Sequence, residues 1–179
     1  MIPRSNQSKP EDNFFETERL IIRLISLDDA ELIFDLYNTP NFIKFIGNRH
    51  ITNLEAAENY IENRFFPQID RLGYGNYTVI LKDGNLKIGA VGIFEREGLD
   101  VSDIGFSVLE EFEGKGYMFE AAQKIKDEVM RRFGLKKISA ITTKHNFSSQ
   151  KLIEKLDLKF KNFVILPNET EELMYFETD

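Results

Sequence analysis

The chain contains no cysteine, which excludes disulfides, thiolate metal sites and a cysteine nucleophile together. Histidine is scarce as well: His50 and His145 stand far apart, with no partner at a metal-ligand spacing, so no metal is expected. No apolar run approaches the roughly 20 residues that a bilayer crossing requires. The opening MIPRSNQSKPEDN lacks the apolar centre of a signal peptide, which makes the cytoplasm the expected setting and a membrane partner unexpected. Positive charge is in deficit. Lys and Arg number 23 against 30 Asp and Glu, a net charge of −7, which speaks against the basic face of a nucleic-acid binder. That balance suits a cationic partner, and a solvated acidic surface explains it as well. What remains is an ordinary globular composition over 179 residues, enough for one domain with a full core.

The most informative stretch is IGFSVLEEFEGKGYMF, from Ile104 to Phe119. Alternation places Ile104, Phe106 and Val108 on one face of a strand and Gly105, Ser107 and Leu109 on the other. A turn through Gly114-Lys115-Gly116 follows, then an amphipathic helix with Phe119, Ala122, Ile125, Val129 and Phe133 on one side. Strand, glycine pair and helix start together make an anion site. The first N–H groups of the helix lack partners, and glycine lets backbone approach a phosphate. A tight turn that needs positive φ explains the same glycines. The Rossmann and P-loop spacings do not match, since Phe119 stands where a third glycine belongs and no Gly-Lys-Ser/Thr occurs here.

Taken in order, residues 1–15 read as an arm, with Phe14 and Phe15 docking its end, and residues 16–179 as a single domain. Glu18 to Ile25 reads as a strand. Ser26 with Asp29 opens a helix that runs to Pro40, and Thr52 with Glu55 opens a second that stops before Pro67. Asn41 to Ile51 between them reads as irregular. Two strands, Asn76–Leu81 and Lys87–Glu95, flank an Asp-Gly hairpin turn, and a third spans Asp100–Leu109. The long helix ends at Gly134, Lys137–Thr143 is a buried-type strand, Phe147–Leu156 a short helix, and the tail two strands around Pro167-Asn168.

The loop VLEEFEGKGYMFEA resembles the pyrophosphate loop of the GNAT acyl-CoA N-acyltransferases, matching Gln/Arg-x-x-Gly-x-Gly/Ala at Gly114 and Gly116 and departing from it at Glu111. "ETERLIIR" and "GKGY…EA" resemble the branch that acetylates ribosomal-protein N-termini. The order β-α-α-β-β-β-α-β-α-β-β is similar to that family's mixed α/β (α+β) fold. The resemblance, over about residues 16–179, implies an acetyl-CoA-dependent N-acetyltransferase acting on a primary amine, a protein N-terminus or a small amine such as an aminoglycoside or polyamine. A non-catalytic acyl-CoA-binding module is the rival reading, and a homodimer stays open.

The resemblance also implies site residues. Ser107, Val108, Glu113, Gly114, Lys115, Gly116 and Tyr117 would border acetyl-CoA, with Val108 N–H facing the developing oxyanion. Asn146-x-x-Ser149 matches a family segment in which the Asn bonds the pantetheine arm and the Ser lies near the sulfur; the same Asn146 suits a helix N-cap. Many members carry Tyr as general acid at the position of Ile153. Its absence moves that role to Ser149 or Tyr175, and Lys155 either meets a phosphate or is solvated. Asp157-Leu158 replaces Gly-Phe, asking Asp157 for positive φ. Glu95 and Asp103 are the candidate bases, and each has an ordinary reading as a strand or turn charge. Phe42, Phe45 and Arg49 would line the acceptor end. Without cysteine, direct transfer in a ternary complex is expected.

Overall fold

The computed structural model describes residues 13–179. The alternating segments form strands β1 (Phe14–Glu16), β2 (Leu20–Leu24), β3 (Asn76–Leu81), β4 (Leu86–Phe94), β5 (Asp103–Val108), β6 (Ser139–Thr142), β7 (Lys159–Val164) and β8 (Leu173–Glu177). They make one sheet in the order β1-β2-β3-β4-β5-β6-β8-β7, antiparallel except where β5 meets β6. The helices are α1 (Ala30–Tyr37), α2 (Pro40–Phe45), α3 (Leu54–Tyr60), α4 (Phe66–Leu72), α5 (Tyr117–Phe133) and α6 (Phe147–Lys155). Strand alternation sends Tyr77, Val79, Val91, Ile104 and Phe176 to one face, where they meet Met118, Ile125 and Val129 of α5 and Ile153 of α6. The opposite face buries Ala90 against Leu32 and Leu36 of α1, and Phe94 beside Ile61 and Phe65. Two helical layers thus enclose one mixed sheet.

The expected element order is present with two additions. Phe14 and Phe15, read as the end of an arm, pair with Arg23 and Ile22 as part of an edge strand; residues 1–12 lie outside the described residues. Within the segment expected to be irregular, Pro40–Phe45 is helical. Thr39 caps it by accepting from Phe42 N–H at 3.2 Å, and Pro40 supplies a first-turn residue that needs no donor. The next helix opens at Asn53 rather than Thr52: the Asn53 side chain accepts from Ala56 N–H at 2.8 Å. It also fails to stop at Pro67. A wider π turn over Ile61–Phe65 joins α3 to α4, easing the ring past the carbonyl that proline cannot serve. On α5 the buried stripe includes Met118 and Ala121, while Phe119 is partly buried and Phe133 exposed. Asp157 adopts φ +66°, and Leu158 N–H reaches back to the Ile153 carbonyl at 3.3 Å, so the helix exit closes as it does with glycine.

Asp29 fastens the first helix to the sheet. It is fully buried, and Arg23 of β2 donates two bonds to it at 2.8 Å. Lys87 of β4 and the Thr78 hydroxyl of β3 each donate at 2.8 Å, and Ser26 N–H at 2.9 Å. Burial alone would push this carboxyl up; the bonds from Arg23, Lys87, Ser26 and Thr78 outweigh it and hold the group well below the usual carboxylate range. Removing one partner of a buried ion pair typically costs about 3–5 kcal/mol, which is the loss expected for Asp29→Ala in urea unfolding. A folded pKa below the unfolded value of about 3.9 contributes stability that is present above that value. The gap between wild type and variant should therefore be full at neutral pH and shrink as pH falls below about 4.

Candidate active site

β5 and β6 are parallel neighbours that share one register pair, Asp103 opposite Ser139. At this vertex Ser139 N–H donates to the Ser102 carbonyl at 2.9 Å, and its hydroxyl donates to the Val101 carbonyl at 2.8 Å. Beyond the vertex each strand follows its other partner. β5 stays paired with β4 out to Val108 opposite Gly89, and β6 stays paired with β8 out to Thr142 opposite Met174. The two strands therefore separate toward their C-terminal ends. Because the Ser102 carbonyl faces β6, strand alternation turns the N–H groups of Phe106 and Val108 toward the opening. Backbone donors along such an edge suit an extended ligand or a developing oxyanion.

The glycine loop lies at the open end of β5. A 3₁₀ turn over Glu110–Phe112 leads to Gly114 at φ +71° and Gly116 at φ +81°, after which α5 begins at Tyr117. Both glycines occupy the left-handed region, so the turn requirement is real. A Cβ built on Gly114 meets nothing within 4 Å, which leaves space directly above the loop. Arg19 of the β1–β2 connection braces the loop from beneath. Its Nε donates to Glu120 at 2.7 Å, its Nη1 donates to the Lys115 carbonyl at 3.0 Å, and its guanidinium lies 4.4 Å from the Tyr117 ring centroid. The Thr17 hydroxyl also donates to Glu120, at 2.6 Å. Arg19 and Glu120 lie in two separate stretches that carry the family resemblance, and only the fold shows that they meet. Lys115 extends toward Phe112, 5.8 Å from its ring centroid.

Across the opening, Asn146 is the N-cap of α6, with its side-chain oxygen accepting from Ser149 N–H at 3.3 Å. The Asn146 amide nitrogen and the Ser149 hydroxyl have no hydrogen-bond partner among the described residues. Thr143, just past β6, has a buried hydroxyl that is likewise without a partner. A buried hydroxyl normally has a hydrogen-bond partner, and Thr143 shares this unsatisfied state with the Asn76 amide nitrogen of β3. Ile153 is buried in the core, and Lys155 is exposed with its ammonium 4.5 Å from the Phe119 ring centroid.

The helical face opposite α5 and α6 carries the remaining candidates. Asp103 is 2 % exposed, and Arg96 donates to both its oxygens at 3.0 and 3.1 Å. Burial pushes the Asp103 carboxyl up, and Arg96 pulls it down without cancelling the rise. Glu95 stands one residue beyond β4, half exposed and paired with Arg71 at 2.8 Å. Tyr175 donates to Glu177 at 2.7 Å; burial and that carboxylate push the phenol up to about 12. Since Tyr175 lies opposite Ile141 and Glu177 opposite Ser139, the hydroxyl leans toward the vertex. Phe42 is buried and stacked on Tyr37 with centroids 4.1 Å apart, Phe45 lies under Lys44, and Arg49 is exposed. Rings continue from Tyr37 to Tyr60, Phe65 and Phe94, reaching the strand position opposite Asp103. The structure thus brings Asp103 and the acceptor-end candidates to one face, and leaves Glu95 engaged at its edge.

Residues 19–159 match the family model described as an acetyltransferase (GNAT) domain. The chain belongs to the GNAT acetyltransferase family. It is 27 % identical over 147 residues to the uncharacterized N-acetyltransferase p20 of Bacillus licheniformis, covering 80 % of each chain. Its fold is similar to ribosomal-protein-S5-alanine acetyltransferase from Vibrio fischeri, with a TM-score of 0.76 at 19 % identity over 92 % of this chain and 95 % of that one. The microcin C7 self-immunity acetyltransferase MccE, solved with acetyl-CoA and AMP, gives a TM-score of 0.76 at 17 % identity over 90 % and 93 %. For this GNAT chain the loop geometry has a direct consequence. Gly114→Val meets no steric obstacle, so its cost should be that of the left-handed backbone alone, about 1–2 kcal/mol in urea unfolding. Circular dichroism should remain that of the folded protein.

Proposed function

We propose that this protein is an acetyl-CoA-dependent N-acetyltransferase that transfers acetyl directly to a primary amine in a ternary complex, with a protein N-terminus as the favoured acceptor. The observation that carries the reading is the wedge between β5 and β6. It lies between the glycine loop and the α6 cap, and Asp103, paired with Arg96, stands at its vertex. Space above Gly114 and the orphaned Thr143 hydroxyl fit an acyl-CoA phosphate and arm. Acetyl-CoA supplies an activated acyl carbon with a thiolate leaving group. The chain's own part is mainly positioning: holding the amine about 3–3.5 Å from that carbon removes most of the entropic barrier. Val108 N–H stabilises the oxyanion from the β5 edge. The unengaged Ser149 hydroxyl is the better proton donor to the thiolate, since Tyr175 is committed to Glu177. Asp103 is the better-placed carboxylate for the amine proton, acting through water, because its raised proton affinity and its face both suit that role.

An α-amino group, with an unperturbed pKa of about 7.7–8.0, is roughly a tenth neutral at pH 7, whereas a lysine near 10.4 is well under a hundredth neutral. That difference favours a terminus over a side chain. The fold shared with a ribosomal-protein-alanine acetyltransferase supports the same choice.

Acetyl-CoA at a hundredfold excess over its Kd should add about 2.7 kcal/mol of stability, a melting shift of roughly 5–11 °C for a domain of this size. Gly114→Val should fold and lose the shift, since the new side chain occupies the ligand's space. No shift with millimolar acetyl-CoA in the wild type would overturn the reading. Ser149→Ala should lower kcat by about a hundredfold while changing acetyl-CoA binding little. Unchanged turnover in that variant would remove Ser149 from the mechanism. With acetyl-CoA saturating, the rate should rise through one ionisation between about pH 6 and 9 as the amine loses its proton, and a flat profile would count against an amine acceptor.

A further inference from the structure

Charge on the acceptor face is unevenly settled. Asp103 is matched by Arg96 through two bonds, and Glu95 is matched by Arg71, so the charge of each carboxylate is already balanced by an arginine. Arg49 is exposed and has neither an ion pair nor a hydrogen bond to another residue among the described residues. Its surroundings are biased the same way. From Leu36 to Leu54 the chain carries Lys44 and Arg49 and not one Asp or Glu, although acids outnumber bases 30 to 23 overall. This segment includes α2, whose Phe42 is stacked on Tyr37. Tyr37 and Tyr60 meet edge to face at 5.4 Å, and neither hydroxyl has a hydrogen-bond partner among the described residues. Arg49 lies close enough to act on the Tyr37 phenol, and Arg96 acts on both phenols. An exposed guanidinium without a partner among the described residues, within electrostatic reach of the Tyr37 phenol whose ring meets that of Tyr60, suits a carboxylate, because a charged acceptor group gains most from such donors.

We propose that the amine acceptor carries a carboxylate close to its amino group, and that Arg49 receives it together with the hydroxyls of Tyr37 and Tyr60. The inference rests on the acetyl-transfer reading above and narrows it. The carboxylate is either the α-carboxylate of a free amino acid or an acidic side chain beside a peptide amino terminus. Both present the same group, and the test separates them.

The test measures CoA release by the full chain with saturating acetyl-CoA on matched pairs of amines. Alanine against alaninamide reports the α-carboxylate. Glu-Ala-Ala-amide against Gln-Ala-Ala-amide reports the side chain, with Lys-Ala-Ala-amide as the cationic contrast. At least one carboxylate member should exceed its amide partner by about tenfold or more in kcat/KM, the scale of a hydrogen bond to a charged group. The pair that shows the difference identifies the source. Arg49→Gln should bring that ratio close to one, and Tyr37→Phe should reduce it partway. Equal rates within both pairs, preference for the lysine peptide, or a ratio untouched by Arg49→Gln would overturn the inference. If acetyl-CoA shifts melting but no amine is consumed, the transfer reading fails by itself. Melting shifts by the same pairs in the presence of CoA then decide: larger shifts from carboxylate members uphold the inference, and equal shifts overturn it.

Discussion

The site depends on two parallel strands meeting at a single point. Ser139 closes the vertex with a backbone bond and a hydroxyl bond to consecutive carbonyls, and past it nothing ties β5 to β6. Each strand is held on its other edge, β5 by its ladder with β4 and β6 by its ladder with β8, and this leaves the Phe106 and Val108 N–H groups on the open edge. The gap between the strands lies beside the glycine loop and the α6 cap, and Asp103 with its Arg96 partner stands at the vertex.

Two buried aspartates show how the same group is set to different ends. Asp29 receives Arg23, Lys87, Thr78 and a backbone N–H, enough to outweigh the cost of burial, and its carboxylate becomes a structural joint. Asp103 is buried as deeply but answered mainly by Arg96, so burial prevails and its proton affinity rises. Donor number separates the two. Neither difference is visible in the residue type.

Several residues serve the fold and the candidate chemistry together. Asn146 spends its oxygen on the helix cap and keeps its nitrogen unengaged, so the structural and functional readings of that residue are compatible. Glu120 ties Arg19 to the helix start, and Arg19 in turn holds the Lys115 carbonyl. The loop therefore keeps its shape through contacts about a hundred residues away in sequence, which a motif cannot record.

Part of the local information was sufficient. The glycine loop, the Asp-Gly hairpin turn and the cap at Asn146 follow from short patterns, since turns and caps are decided by neighbours along the chain, and the family resemblance adds the positive φ at Asp157. The helix start at Thr39-Pro40 was not legible, since Pro40 reads as a stop and Asn41 to Ile51 as irregular, and neither was the passage of the helix through Pro67, which a π turn accommodates. Tertiary structure alone decided which charges are spoken for. Glu95, Asp103 and Tyr175 are equal candidates as letters; Arg71 engages Glu95 and Glu177 engages Tyr175, whereas Asp103 keeps a raised proton affinity beside Arg96 and Arg49 is left unpaired among the described residues. Side-chain partners are set by distances in space between segments far apart in the chain, and no periodicity or spacing encodes those distances.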